Sequence, residues 1–221
     1  MTAEQGSRSL RVVLVDDHAV VRTGYRRLLE DEADVCVVAE HGDAESAYHW
    51  LTRHGTVGAP ADVMVLDLSM PGRSGLDMLR RVGLRWPTLA VLVFSMHDSA
   101  AMVAQALKAG AAGYVTKSSD PDTLVRALRR VASGEVGVLS ADIAAAAAAP
   151  AAAAPHLVLS AREFEVLRGL VDGLGLDEIA ERLSISSKTV SNHQTQIRQR
   201  LGLSTAVDLL RYAHEHRLFQ P

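Results

Sequence analysis

Five short apolar runs rich in β-branched residues recur between residues 10 and 134, at 10–15, 35–39, 63–66, 89–94 and 113–116. Runs of that length with little polar alternation read as strands buried on both faces of a parallel sheet. Helical periodicity follows each one. Apolar positions fall at Val20, Val21, Tyr25, Leu28 and Leu29, then from 44 to 51, then at Leu76, Leu79 and Val82. The fourth pattern, Met102, Val103, Ala106 and Leu107, stops at Gly110; the fifth, Leu124, Val125, Leu128 and Val131, stops at Gly134. Five βα units with short turns predict an α/β doubly wound five-stranded parallel sheet. A closed barrel of eight units does not fit in this length.

In open α/β sheets, chemistry gathers where the strand C-termini meet the loops. The third run ends in Asp67-Leu68-Ser69-Met70-Pro71-Gly72, a carboxylate followed shortly by a turn signal. The first runs into Asp16-Asp17, the fourth into Ser95, and the fifth, Gly113-Tyr114-Val115-Thr116, into Lys117. One carboxylate after a strand is as often a helix cap or a solvated loop residue. Acids, a hydroxyl and an ammonium on one sheet edge favour a reacting site.

The net charge of −3 rules out a polybasic tail, and residues from 156 onward carry eight Lys+Arg against eight Asp+Glu. Any nucleic-acid contact must therefore rest on where the charges lie. Cys36, the only cysteine, allows no intramolecular disulfide, and its setting in Val35-Cys36-Val37-Val38 predicts a small buried thiol. The N-terminus lacks a signal-peptide pattern and no apolar stretch is long enough to span a bilayer. A cytoplasmic protein without membrane contact is expected.

Residues 141–155 are nearly all alanine, interrupted by Pro150 and Pro155. They read as a semi-rigid, partly helical linker. The predicted boundaries are a first domain at 1–136, a linker at 137–156 and a second, smaller all-α domain at 157–221. There, Ser160-x-x-Glu163 is a capping-box signature ahead of Phe164, Leu167, Leu170 and Val171. Gly173 and Gly175 break that helix, a short one runs from 177 to 183, and a longer one from 188 to 201. Gly202 stops the last, and Ser204 is placed to cap a final helix bearing Val207, Leu209, Leu210 and Ala213. Two helices joined by a tight turn, the second carrying Lys188, Arg198 and Arg200 with no acid between 188 and 201, suggest a DNA-reading helix-turn-helix.

As a set, Asp16, Asp17, Asp67, Ser95 and Lys117 resemble a response-regulator receiver domain over residues 10–134. Residues 157–221 resemble the LuxR-type helix-turn-helix, above all at Glu178-Ile179-Ala180-Glu181-Arg182-Leu183 and Lys188-Thr189-Val190-Ser191-Asn192-His193. Together they resemble the NarL/FixJ class of two-component regulators. The resemblance implies a flavodoxin-like receiver that accepts a phosphoryl group on Asp67 from a sensor histidine kinase and is not itself an enzyme. It makes Asp17 a direct Mg²⁺ ligand, Asp16 a water-mediated one, and the Ser69 carbonyl a backbone ligand beside Asp67. Lys117 and Ser95 would contact the phosphoryl group, and Tyr114 would be the switch residue.

The DNA contacts implied are Lys188, Thr189, Ser191, Asn192, His193, Thr195, Arg198 and Arg200, on promoter DNA with paired half-sites. Further implications are homodimerisation on phosphorylation and RNA polymerase as a protein partner. His18 is expected to be structural or solvent-facing. The chain departs from the family at Ser118, where many receivers have proline, and at Gly175 and Asp177, where a serine cap and a lysine are common. Two other classes compete. A phosphatase forming a phospho-aspartate typically has a second Asp two residues after its nucleophile, where this chain has Ser69. A DNA-binding regulator with a vestigial receiver would not need the intact acid, hydroxyl and lysine set.

Overall fold

The computed structural model describes residues 9–56, 58–70, 75–148, 159–216 and 218; the Pro71-Gly72 turn and the Ala/Pro run at 149–158 lie outside them. Strands β1 (Leu10–Val15), β2 (Val35–His41), β3 (Val63–Leu66), β4 (Ala90–Ser95), β5 (Gly113–Thr116) and β6 (Val138–Leu139) form one sheet, ordered β2-β1-β3-β4-β5-β6. Every pairing is parallel. The period of two sends alternate side chains to opposite faces. Val13, Val15, Met64, Leu66, Val91 and Val93 pack with α2 (Ala44–His54), α3 (Gly75–Arg85) and α4 (Ala100–Lys108). Val12, Leu14, Val63, Val65, Leu92 and Phe94 pack against α1 (Ala19–Glu30) and α5 (Pro121–Ala132). The strand order reverses between β1 and β3, which opens a crevice at their C-terminal ends.

The sheet has one strand more than the five predicted. After α5 the chain returns to the sheet, and β6 pairs Val138 with Gly113. A Cβ at Gly113 would stand 2.6 Å from the Val138 carbonyl oxygen, so only glycine admits this strand. Two residues are too few to show a period, which hid β6 in the sequence. The helix that follows, α6 (Ala141–Ala148), belongs to the stretch read as linker and is fastened down. Thr116 Oγ1 donates to Asp142 at 2.5 Å, Ser119 Oγ donates to the same carboxylate at 3.2 Å, and Ile143 is fully buried. Ile143→Ala should therefore cost about 2–4 kcal/mol of stability, as for a buried aliphatic residue. Urea unfolding measures this; a loss below about 0.5 kcal/mol, the range of surface substitutions, would mean that α6 is not part of the core.

Cys36 is exposed, contrary to the sequence reading. β2 is an edge strand whose outward positions are only partly covered, so an apolar run there does not guarantee burial of each member.

The C-terminal helices are α7 (Ala161–Val171), α8 (Leu176–Arg182), α9 (Ser187–Leu201) and α10 (Ala206–Glu215). The predicted capping box opens α7: Glu163 N–H donates to Ser160 Oγ at 3.3 Å, and Ser160 N–H donates to Glu163 Oε2 at 2.7 Å. Gly202 closes α9 with φ +67°, the left-handed region that glycine enters without strain. Thr205, not Ser204, caps α10, because its hydroxyl accepts from the Asp208 N–H three residues on. Phe164, Leu167, Ile179, Val190, Ile197 and Leu209 are buried, and they continue the same apolar cluster that lines the α2–α4 side of the sheet.

Candidate phosphoacceptor site and DNA-reading helix

The register of the sheet brings the acids together. Val15 pairs with Leu66, so Asp16 and Asp67 leave adjacent strands at the same level, and the Asp67 N–H donates to the Val15 carbonyl at 2.9 Å. Lys117 leaves β5 beside Ser95 of β4, with its N–H on the Ser95 carbonyl at 2.9 Å. Its ammonium donates to Asp67 Oδ2 at 2.7 Å and lies 2.6 Å from Asp16 Oδ2. The Asp67 side chain is 1% exposed and that of Lys117 5%. Burial works against the Lys117 charge, but the bonds to Asp16 and Asp67 outweigh it and hold its pKa above the ordinary lysine value.

The remaining oxygens are unequal. Asp16 Oδ1 accepts from the His18 N–H at 2.8 Å, and Asp67 Oδ1 from the Ser69 N–H at 2.9 Å. Asp17 Oδ1 is buried and receives no aligned hydrogen bond, although the His18 Nδ1 atom stands 2.9 Å away on an exposed ring. One atom from each of Asp16, Asp17, His18 and Asp67 lies within 4.8 Å of the others. Three carboxylates face one ammonium here. The deficit of positive charge and the oxygen donors suit a hard divalent cation of the Mg²⁺ type.

Ser95 ends β4, and Tyr114 lies on β5 beside Val93. Ser95 is fully buried, with its Oγ 3.4 Å from Ser69 Oγ. Tyr114 is wholly buried and its hydroxyl donates to the His97 carbonyl at 2.7 Å, so any swing of the ring must first break that bond. Burial pushes the Tyr114 phenol up, and it stays protonated. His97 was not anticipated. Its Nε2 lies 3.0 Å from Ser69 Oγ, closing the rim between the β3 and β4 loops. Burial, then the positive charge of Arg168, pushes its pKa down to about 4, so the ring is neutral at pH 7. Its place two residues after a strand-end serine was the one available signal. Arg168 of α7 also reaches this neighbourhood and feels the charge of Asp67; nothing in its own segment indicates that. The Lys117–Ser118 peptide bond is trans.

In the second domain α8 and α9 form the helix pair expected. Lys188, Ser191, Asn192 and Thr195, spaced three and four apart, share an exposed face of α9, while Val190 and Ile197 are buried. Thr189 belongs to the start of α9, its N–H on the Ser186 hydroxyl at 3.1 Å. His193 is half-buried. Arg198 bends toward the Ser204 carbonyl, 3.4 Å away. Arg200 pairs with Glu163 at 3.2 Å, giving a buried carboxylate its counter-charge. The Gly175 N–H donates to Glu178 Oε2 at 2.6 Å, while the hydroxyl that a serine would offer the Glu178 N–H is missing, so only half of a capping box opens α8.

Comparison with known proteins extends both halves. Residues 12–129 match the family model "Response regulator receiver domain", and residues 157–213 match "Bacterial regulatory proteins, luxR family". The transcriptional regulatory protein UhpA of Salmonella typhimurium is 39% identical over 210 residues, covering 95% of this chain and 98% of UhpA. The chain belongs to the NarL/FixJ class of two-component response regulators. The oxygen regulatory protein NreC of Staphylococcus epidermidis is 35% identical over 222 residues, covering 96% of this chain and all of NreC. A structure of RcsB from Salmonella enterica serovar Typhimurium, bound to promoter P1flhDC with the phosphomimetic BeF3-, superposes with a TM-score of 0.70. It is 29% identical and covers 93% of this chain and 98% of that one. This response regulator joins a receiver to a LuxR-type DNA-binding domain and is a DNA-binding transcription regulator.

Proposed function

We propose that Asp67 is the phosphoacceptor of this regulator and that a sensor histidine kinase is its donor. The observation carrying this reading is the Lys117 ammonium held between Asp16 and Asp67 beside a buried Ser95 hydroxyl. An Asp67 carboxylate oxygen attacks phosphorus, the P–N bond of the donor phosphohistidine breaks, and the imidazole leaves with its electron pair and takes up a proton. Lys117 and the Ser95 hydroxyl bind the phosphoryl oxygens, whose charge is spread in the transition state. Bound Mg²⁺, held by Asp17, Asp67 and the Ser69 carbonyl with Asp16 reaching through water, would supply the positive charge the cluster lacks. Asp17 Oδ1, buried without an aligned hydrogen bond, supports its direct role, and the two donors already on Asp16 support an indirect one.

Tyr114 is the switch in this reading, because its hydroxyl ties it to the loop carrying His97. The test is incubation with Mg²⁺ and a small phosphodonor, followed by intact-mass analysis. One added phosphoryl group is expected; no gain under conditions that label other receivers would refute the acceptor.

The phosphorylated protein is proposed to act as a homodimer on double-stranded promoter DNA with paired half-sites, with RNA polymerase as a further partner. No helix among the described residues is long and apolar enough to cross a membrane; we place the protein in the cytoplasm with its kinase and its DNA. Asn192, short and carrying both a donor and an acceptor, is assigned to base edges, with Ser191 and Thr195 beside it. Lys188 is assigned to phosphates, with Thr189 and His193 lining the same helix. Arg198 and Arg200 are shared with internal contacts, so Lys188 is the cleaner probe of phosphate binding.

Asn192→Ala should cost about 1–3 kcal/mol on the cognate site and little on random DNA. Lys188→Ala should weaken both and reduce the salt slope by about one. Binding isotherms at several salt concentrations measure both; equal losses on the two DNAs for Asn192→Ala would remove it as a reader.

A further inference from the structure

The second domain does not lie free of the receiver. Its apolar cluster is continuous with that of α3 and α4. The Gln105 side chain of α4, 1% exposed, donates through Nε2 to the Leu159 carbonyl at 3.2 Å, just ahead of α7. At the acceptor rim, Leu68, Ser69 and Met70 face Arg168, Asp172 and Arg182 across a cavity of about 40 Å³. That is far below the roughly 300–1,000 Å³ of a small-molecule pocket, so no phosphodonor fits between the domains. The reading face of α9 is left open: Lys188, Ser191, Asn192 and Thr195 are exposed or solvent-facing with the domains docked.

Charge also favours this contact. The acceptor cluster is net negative, with three carboxylates against Lys117. Arg168 lines the gap beside Leu68, Ser69 and Met70 with its side chain 17% exposed, and Asp172 is 3.7 Å from it. Desolvation lowers the Arg168 pKa, while the charge of Asp67 acts in the opposite direction. Arg182 of α8 adds a second cation facing His97.

We propose that the α7–α8 face bearing Arg168 and Arg182 is a cover for the acceptor site, occupying the rim that a phosphodonor must take. Control by docking then acts on the acceptor and leaves the reading helix uncovered. This rests on Asp67 being the acceptor. Only undocked molecules react, so the observed rate is the open-state rate multiplied by the undocked fraction. Whatever draws α7 and α8 off the rim raises the phosphorylation rate in proportion to the undocked fraction.

The test uses the full chain with Mg²⁺ and phosphoramidate, following phosphoryl gain by intact mass against time. Wild type is compared with Arg168→Glu and with Arg182→Glu, whose exposed position makes it the variant that keeps its fold; circular dichroism checks both. Reversing either charge should raise the initial rate severalfold, with the reciprocal of the wild-type undocked fraction as the ceiling. Equal rates in folded variants would overturn the cover. Slower rates would overturn it too, since they would mean that the arginines recruit the donor. If neither wild type nor the folded variants gain a phosphoryl group, the acceptor reading fails, and that outcome is distinct from the other two.

Discussion

Asp67→Asn should abolish phosphoryl gain entirely, while wild type gains one group. The amide keeps the size of the side chain and can still accept through Oδ1 from the Ser69 N–H, now 2.9 Å. It lacks the anionic oxygen that attacks phosphorus, so the step has no nucleophile. Asp16 and Asp17 do not substitute. In the proposed arrangement both are committed to the metal, Asp17 directly and Asp16 through water. With no phosphoryl group, the mutant should stay in the unphosphorylated oligomeric state on DNA, which sedimentation of the complex measures. Phosphoryl gain in the mutant equal to wild type would remove Asp67 from its role and move the acceptor elsewhere in the cluster.

The candidate acceptor site was legible because each member stands at the end of a strand. Asp16, Asp67, Ser95 and Lys117 follow four apolar runs, and a parallel sheet brings strand ends to one edge whatever the helices between them do. The same logic gave the doubly wound parallel sheet. It failed where the structure depends on contacts distant in sequence. β6 is two residues long and is placed by the missing side chain of Gly113, not by a pattern of its own. Cys36 follows the composition of its strand, but its exposure follows from β2 being at the edge. Arg200 looked like a phosphate anchor from its helix alone; its pairing with Glu163 depends on α7 lying across α9. Arg168 gains its significance only once two domains meet, and no local periodicity encodes that meeting.

Lys117→Ala should destabilise the receiver strongly in the absence of divalent cation and recover on adding Mg²⁺. The ammonium is the only side-chain cation within bonding distance of both Asp16 and Asp67 among the described residues. Its removal leaves two nearly buried carboxylates facing each other. Breaking a buried pair by deleting one partner costs about 3–5 kcal/mol. The cluster opens to solvent on the Asp17 side, whose side chain is 25% exposed, so the lower end of about 3 kcal/mol is expected. A ligand that binds only the folded state at a hundred times its Kd returns about 2.7 kcal/mol. The mutant site, one positive charge poorer, should bind Mg²⁺ more tightly than wild type, so the gain from added metal should exceed that of wild type under the same conditions. Urea unfolding of both proteins with EDTA and with millimolar Mg²⁺ gives the four stabilities needed. Phosphoryl gain should persist in the mutant with metal present, but the dimer on DNA should fail to form, because the phosphoryl oxygens lose the cation that ties them to β5. A mutant as stable as wild type in EDTA, with no added response to Mg²⁺, would show that Lys117 is not what balances the acid cluster.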